Sequence, residues 1–152
     1  MEAIDIINLL KLIVGVLFGL CYFHQIVYII ITLFKKPREW ADAPQDKRYA
    51  ILISARNEEA VIPHLLDSIR AQDYPSELID VYVCADNCTD STAEVCREKG
   101  AVVYERHDLS KIGKGYALAF MLGNIYETHG EDRYDAYFVI DADNLLEKNY
   151  VS

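Results

Sequence analysis

Two carboxylates one residue apart, Asp141 and Asp143, follow a short apolar run, Ala136 to Ile140 (AYFVI). The chain is so rich in Asp that an Asp-x-Asp pair has no weight as a pattern; its place gives it weight. At the end of a buried strand, two carboxylates can meet a divalent cation and a diphosphate instead of bulk water. A hard cation there would neutralise phosphate charge and assist departure of a nucleotide. Three other apolar runs also end in polar residues. Tyr49 to Ser54 (YAILIS) leads into Ala55-Arg56-Asn57-Glu58, Ile79 to Ala85 (IDVYVCA) into Asp86-Asn87, and Ala101 to Tyr104 (AVVY) into Glu105-Arg106-His107-Asp108.

Other chemistries fit less well. Cys84, Cys88 and Cys96, with His107 beyond, are spaced too loosely for the tight ligand pairs of structural zinc. With Cys21 in an apolar run and no Cys-x-x-Cys pair, the four cysteines read as reduced thiols. Lys111-Ile112-Gly113-Lys114-Gly115 looks like a phosphate loop, but it lacks the full G-x-x-x-x-G-K-[ST] pattern and follows no clear strand. His64 and His129 fall in helical stretches, as ordinary core or surface residues do. A signalling domain with Asp86 as phosphoacceptor would leave Asp141 and Asp143 without a role.

These groups need a frame that brings them together. The four apolar runs have buried-strand length and are rich in Val, Ile and Tyr. Helical stretches lie between them: Ile62, Leu65, Leu66 and Ile69 recur at i, i+3, i+4 and i+7, as do Leu118, Met121, Leu122 and Ile125. A third helix is expected to start at Ser91-Thr92-Ala93-Glu94, a capping-box pattern, and to stop near Gly100. Alternating strands and helices imply an α/β fold with a parallel sheet. In such a sheet the carboxyl ends of the strands lie along one edge, where ligands bind. All four polar stretches then line a single crevice.

Composition narrows the function classes. A chain of 152 residues that is 52% hydrophobic, with 7 Gly and 4 Pro, is neither disordered nor collagen-like nor a disulfide scaffold. Lys35, Lys36 and Arg38 form a basic cluster, whereas residues 39–152 hold 11 basic and 22 acidic side chains. That excess of acid excludes a nucleic-acid partner, which needs a basic face. Leu12 to Phe34 is 23 residues without a formal charge, about 34 Å as a helix, and so reads as a transmembrane anchor. Glu2 and Asp5 precede it and the basic cluster follows. A cleaved signal peptide has the opposite charge order, and the positive-inside rule puts everything downstream in the cytoplasm. His24 and Gln25, a polar pair within the run, read as tolerated rather than as a pathway. The expected organisation is an anchor at 1–34, a polar linker at 35–48 and a nucleotide-binding unit at 49–152.

Taken in order, the motifs resemble the inverting family 2 glycosyltransferases of GT-A fold, which include cellulose, chitin and hyaluronan synthases. The resemblance covers residues 49–150 through ILISARNEE, SIRAQDYP, VCADNCTDST, GKGYAL and VIDADN. It implies that Ala55, Arg56 and Glu58 line the nucleotide pocket, with Glu58 near the base or ribose. Asp86 would contact the uracil or its ribose, and Lys114 would sit beside the nucleotide. Asp141 and Asp143 would form the DxD element, Asp143 as metal ligand and Asp141 nearer the ribose while also available to the metal. The implied ligands are a UDP-sugar and Mg2+ or Mn2+, with an unknown saccharide or lipid as acceptor. Ser54, Ala55 and Arg56 stand where many relatives have Pro and a Tyr or Cys, and Asp86-Asn87-Cys88 where many have Asp-Gly-Ser; both affect the substrate subgroup. In the family the acceptor site and catalytic Asp would fall beyond Ser152. The chain is thus expected to be an N-terminal, truncated portion that binds a nucleotide and transfers no sugar by itself. The alternative is a non-catalytic nucleotide-binding or assembly module that needs a partner chain.

Overall fold

Apolar side chains occupy every face of the first segment, so its helix has no polar stripe to turn towards water. A computed structural model describes residues 3–36 and 43–152, divided into two units, residues 1–42 and 43–152. The first contains helix α1 (Ala3–Phe34). Its stretch Ile4–Phe34 is long and apolar enough to cross a membrane. His24 meets the ring of Tyr28 edge-on one turn later, with centroids 5.9 Å apart, so the histidine has a partner within its own helix. Arg38 of the basic cluster, together with residues 37–42 of the linker and Glu2, lies outside the described residues.

The second unit alternates strand and helix: β1 (Tyr49–Ala55), α2 (Ile62–Arg70), β2 (Ile79–Asp86), α3 (Thr92–Glu98), β3 (Val102–Arg106), α4 (Lys114–His129) and β4 (Ala136–Asp141). The four strands form one parallel sheet in the order β3-β2-β1-β4. β1 lies inside the sheet, so both its faces are buried and its sequence is continuously apolar. Ile51, Ile53 and Ala55 face one side and pack on Ile62, Leu65, Leu66 and Ile69 of α2 and Cys96 of α3. Ala50 and Leu52 face the other and pack with Tyr82 and Cys84 on Ala117, Met121 and Ile125 of α4. Burying a Leu or Ile of this kind stabilises by about 1.5–3 kcal/mol. The chain moves outward from β1 to β2 and β3, then returns to place β4 on the other side of β1. The crevice of a doubly wound sheet opens at such a reversal, here between the carboxyl ends of β1 and β4.

Two local expectations are corrected. β1, β2 and β4 each run one residue past the apolar stretch, taking in Ala55, Asp86 and Asp141, and β3 shifts from 101–104 to Val102–Arg106. Polar residues can end these strands because ladder pairing depends on the backbone, and the added charges find partners. In α3, the side chain of Ser91 makes no capping bond. Asp90 takes that role: its Oδ1 accepts the N–H of Thr92 at 3.1 Å and the Thr92 hydroxyl at 2.6 Å.

Candidate functional site

The reversal point is built from the ends of β1 and β4 and the start of α4. Register pairs Ser54 with Asp141, so Ala55 and Asp141 stand on neighbouring strands at one edge. After Asp141 the chain turns, with the N–H of Asn144 donating to Asp141 O at 3.1 Å. Ala142 is buried in the α2-side core, while Asp141 and Asp143 on either side of it are exposed. Gly113 precedes α4 at φ 136°, a conformation that side-chain-bearing residues rarely adopt, and lets the chain enter the helix at this edge. Lys114, the first residue of α4, then directs its Nζ onto Asp141 Oδ1. These side chains are 44% and 61% exposed, so water and a ligand can both compete for them.

Asp86 lies two strands across and two residues further along than Asp141, about 12 Å at normal strand spacing and rise. It is buried, and its Oδ1 accepts from Arg106 Nη1 at 2.6 Å and from the Asn87 side-chain amide at 2.9 Å. Arg106 is buried as well. Its Nη2 donates to the carbonyl of Lys111 at 2.8 Å and to Asp108 Oδ2 at 3.2 Å. Asn87, held at φ 55°, exchanges bonds with the same loop: its N–H donates to Arg106 O at 2.7 Å, and its Oδ1 accepts the Asp108 N–H at 2.8 Å. The Ser110 hydroxyl and N–H, both donated to Asp108 Oδ1, lead the interactions that hold the Asp108 carboxyl below its ordinary value. Arg106 thus connects Asp86 to the loop that delivers Lys114.

The loop after β1 is stitched to the loop after β2. Asn57, at φ 56°, accepts the Thr89 N–H on Oδ1 at 2.8 Å; the N–H of Glu58 donates to the buried Thr92 hydroxyl at 2.9 Å, and that of Ser91 to Glu59 Oε2 at 2.8 Å. Arg56 is exposed and Glu58 half-buried on this platform. All the residues singled out in the sequence, Ala55, Arg56, Glu58, Asp86, Lys114, Asp141 and Asp143, lie at or just beyond the carboxyl ends of strands or at the start of α4. Only Lys114 and Asp141 are in direct contact among them. Arg106 was expected at the crevice edge but was given no role of its own there; its pairing with Asp86 reveals one. Asn57 and Asn87 were expected at the edge and Thr92 in a capping pattern, but the bonds they make between loops were not legible in the sequence.

Among the described residues no group of three or more His, Cys, Asp or Glu could hold a metal ion. Burial pushes the Cys84 and Cys96 thiols up to about 12, against zinc ligation by thiolate. Asp141 and Asp143 instead fit a small divalent cation that takes one or two carboxylates and completes its shell with phosphate oxygens and water.

Comparison with known proteins agrees with this frame. Residues 44–152 match the family model described as glycosyltransferase like family 2. The chain is 39% identical over 121 residues to a 4,4'-diaponeurosporenoate glycosyltransferase of Staphylococcus haemolyticus, covering 77% of this chain and 29% of that protein. It therefore spans less than a third of that relative's length. Among solved structures it resembles the mannosyltransferase PcManGT from Pyrobaculum calidifontis in complex with GDP-Man and Mn2+, with a TM-score of 0.61 and 25% identity over 90% of this chain and 40% of that one. TarS of Staphylococcus aureus shares the fold, with a TM-score of 0.52 and 23% identity over 67% of this chain and 18% of TarS. The parallel sheet, its reversal point and the family match converge: the chain belongs to glycosyltransferase-like family 2.

Proposed function

We propose that this chain is the membrane-anchored donor-binding part of an inverting glycosyltransferase, which binds a UDP-sugar with Mg2+ or Mn2+ and serves transfer to a saccharide or lipid hydroxyl. The observation that carries the reading is the Lys114–Asp141 contact at the reversal point, with exposed Asp143 two residues on. A nucleoside diphosphate bridges the two halves of this edge. Asp86 accepts the imide N–H of the base or a ribose hydroxyl, and its pairing with Arg106 fixes where that acceptor stands. Glu58 and Arg56 bound the base and ribose from the β1 side, whereas the side chain of Ala55, expected to line the pocket, packs into the α2-side core. Lys114 exchanges its contact with Asp141 for the phosphates, freeing that carboxylate for ribose or metal. Asp143 and Asp141 would hold a divalent ion, which would supply charge neutralisation to the departing diphosphate. The acceptor hydroxyl, deprotonated by a carboxylate assigned to no residue of 1–152, attacks the anomeric carbon from the opposite side, which inverts the configuration.

Similarity to a protein solved with GDP-Man and Mn2+ supports a nucleotide-sugar donor and a divalent metal. The apolar α1 supports anchoring, and the basic residues after it support a cytoplasmic donor site. The test is a panel of UDP- and GDP-sugars screened for thermal stabilisation with and without Mn2+. A ligand at 100 times its Kd adds about 2.7 kcal/mol. A UDP-sugar that stabilises only with Mn2+ supports the reading. Preference for a GDP-sugar would reassign the base, and no stabilisation by any member would remove the donor role.

A further inference from the structure

Residues 144–147 follow the Asp141-Ala142-Asp143 turn with no helix or strand, and only turns continue the chain to Val151. The segment is nevertheless fastened to the end of α2. Ser68 Oγ donates to Leu65 O at 2.7 Å and accepts the N–H of Leu146 at 3.1 Å. The Gln72 side-chain amide donates to Ser68 O at 3.1 Å and to Glu147 O at 2.8 Å, and its Oε1 accepts the N–H of Val151 at 3.2 Å. The N–H of Asp73 donates to Lys148 O at 2.7 Å. Gln72 is only 8% exposed, so water cannot readily replace these bonds if its amide is removed.

The consequence falls on Asp143. The turn is pinned on one side by Asp141, paired in register with Ser54, and on the other by Leu146, held by Ser68 and packed against the α2-side core. Asp143 lies on the short span between. With both ends fixed, few backbone arrangements remain open to Asp143, whose side chain is exposed. We infer that Gln72, supported by Ser68, is a positioning residue that sets Asp143 for metal binding, an inference that rests on Asp143 being the metal carboxylate. Gln72 belongs to SIRAQDYP, a motif that the nucleotide pocket itself does not use.

The experiment compares the 152-residue chain in detergent with Gln72→Met, which keeps side-chain length and loses all three amide bonds. Ser68→Ala, which removes the Leu146 anchor alone, provides a milder second variant should Gln72→Met fail to fold. Mn2+ affinity at saturating UDP is read by electron paramagnetic resonance, and UDP affinity without metal by calorimetry, both below the melting temperature of every variant. The expected result is Mn2+ affinity weakened about 10-fold, as for loss of a metal site's outer support, with metal-free UDP affinity unchanged. Equal Mn2+ affinity in parent and variants, or equal loss of UDP and Mn2+ binding, would overturn the positioning role alone. A parent whose UDP binding ignores Mn2+ would overturn the reading of Asp143 and this inference with it.

Discussion

Arg106 Nη1 donates to Asp86 Oδ1 at 2.6 Å, with the two side chains only 7% and 6% exposed, and this ion pair joins the ends of β2 and β3. Arg106→Ala would leave the Asp86 carboxylate buried with its main partner gone, at a cost of about 3–5 kcal/mol. Thermal unfolding of the two chains measures that cost. A change below about 1 kcal/mol would mean that water already screens the pair.

The Lys114–Asp141 pair is the counter-case, similar in chemistry but exposed. Lys114→Ala is expected to change stability by no more than about 1 kcal/mol. It should nevertheless weaken UDP binding at least about 10-fold, because a bond from a cation to phosphate contributes about 1.5–3 kcal/mol. Calorimetry beside a melting curve separates the two effects, and unaltered UDP affinity would remove Lys114 from the site.

Much of this arrangement was legible in the sequence, for a physical reason. A parallel sheet buried on both faces writes its strands as apolar runs, so YAILIS and AYFVI located β1 and β4 to within a residue. Charged residues at strand ends were legible as an edge but not as partners: Arg106 and His107 look alike in sequence, yet Arg106 is buried on Asp86, whereas the His107 side chain is 68% exposed. Ser91 and Asp90 both suit a helix start, and only backbone direction decides that Asp90 caps. The role of Gln72 depends on contacts more than 70 residues away in sequence, which no local spacing encodes.

Stability should fall on the alkaline side. Burial raises the thiols of Cys84 and Cys96 to about 12 and also raises the phenols of Tyr82 and Tyr134, whose hydroxyls meet at 2.6 Å. A group whose folded value is raised gives full stability below its unfolded value, near 9 for Cys and 10 for Tyr, and loses it as pH climbs towards the folded value. The unfolding free energy is therefore expected to be level from pH 7 to 8 and to fall from pH 9 upward, by up to about 1.4 kcal/mol per pH unit for each group, and the melting temperature to fall with it. A level profile to pH 11 would contradict the burial of these four groups.

Topology can be read with a cysteine placed at Asp46, in the described part of the linker, after Cys21→Ala and Cys88→Ala remove the more accessible thiols. With Lys35, Lys36 and Arg38 on the cytoplasmic side, an impermeant maleimide should label Asp46→Cys only after the cells are permeabilised. Labelling in intact cells would reverse the orientation.

Asp143 is proposed to hold a metal that strengthens nucleotide binding, and calorimetric titration of UDP into the parent and Asp143→Asn, each with and without Mn2+, tests this role most directly. Asp143→Asn removes the charge at an exposed position and should leave the stability within about 0.5 kcal/mol of the parent. The expected result is tighter UDP binding by the parent in Mn2+ and no gain from Mn2+ in the variant. An equal gain from Mn2+ in both chains would contradict the assignment of Asp143, and with it the metal site at the β4 end of the crevice.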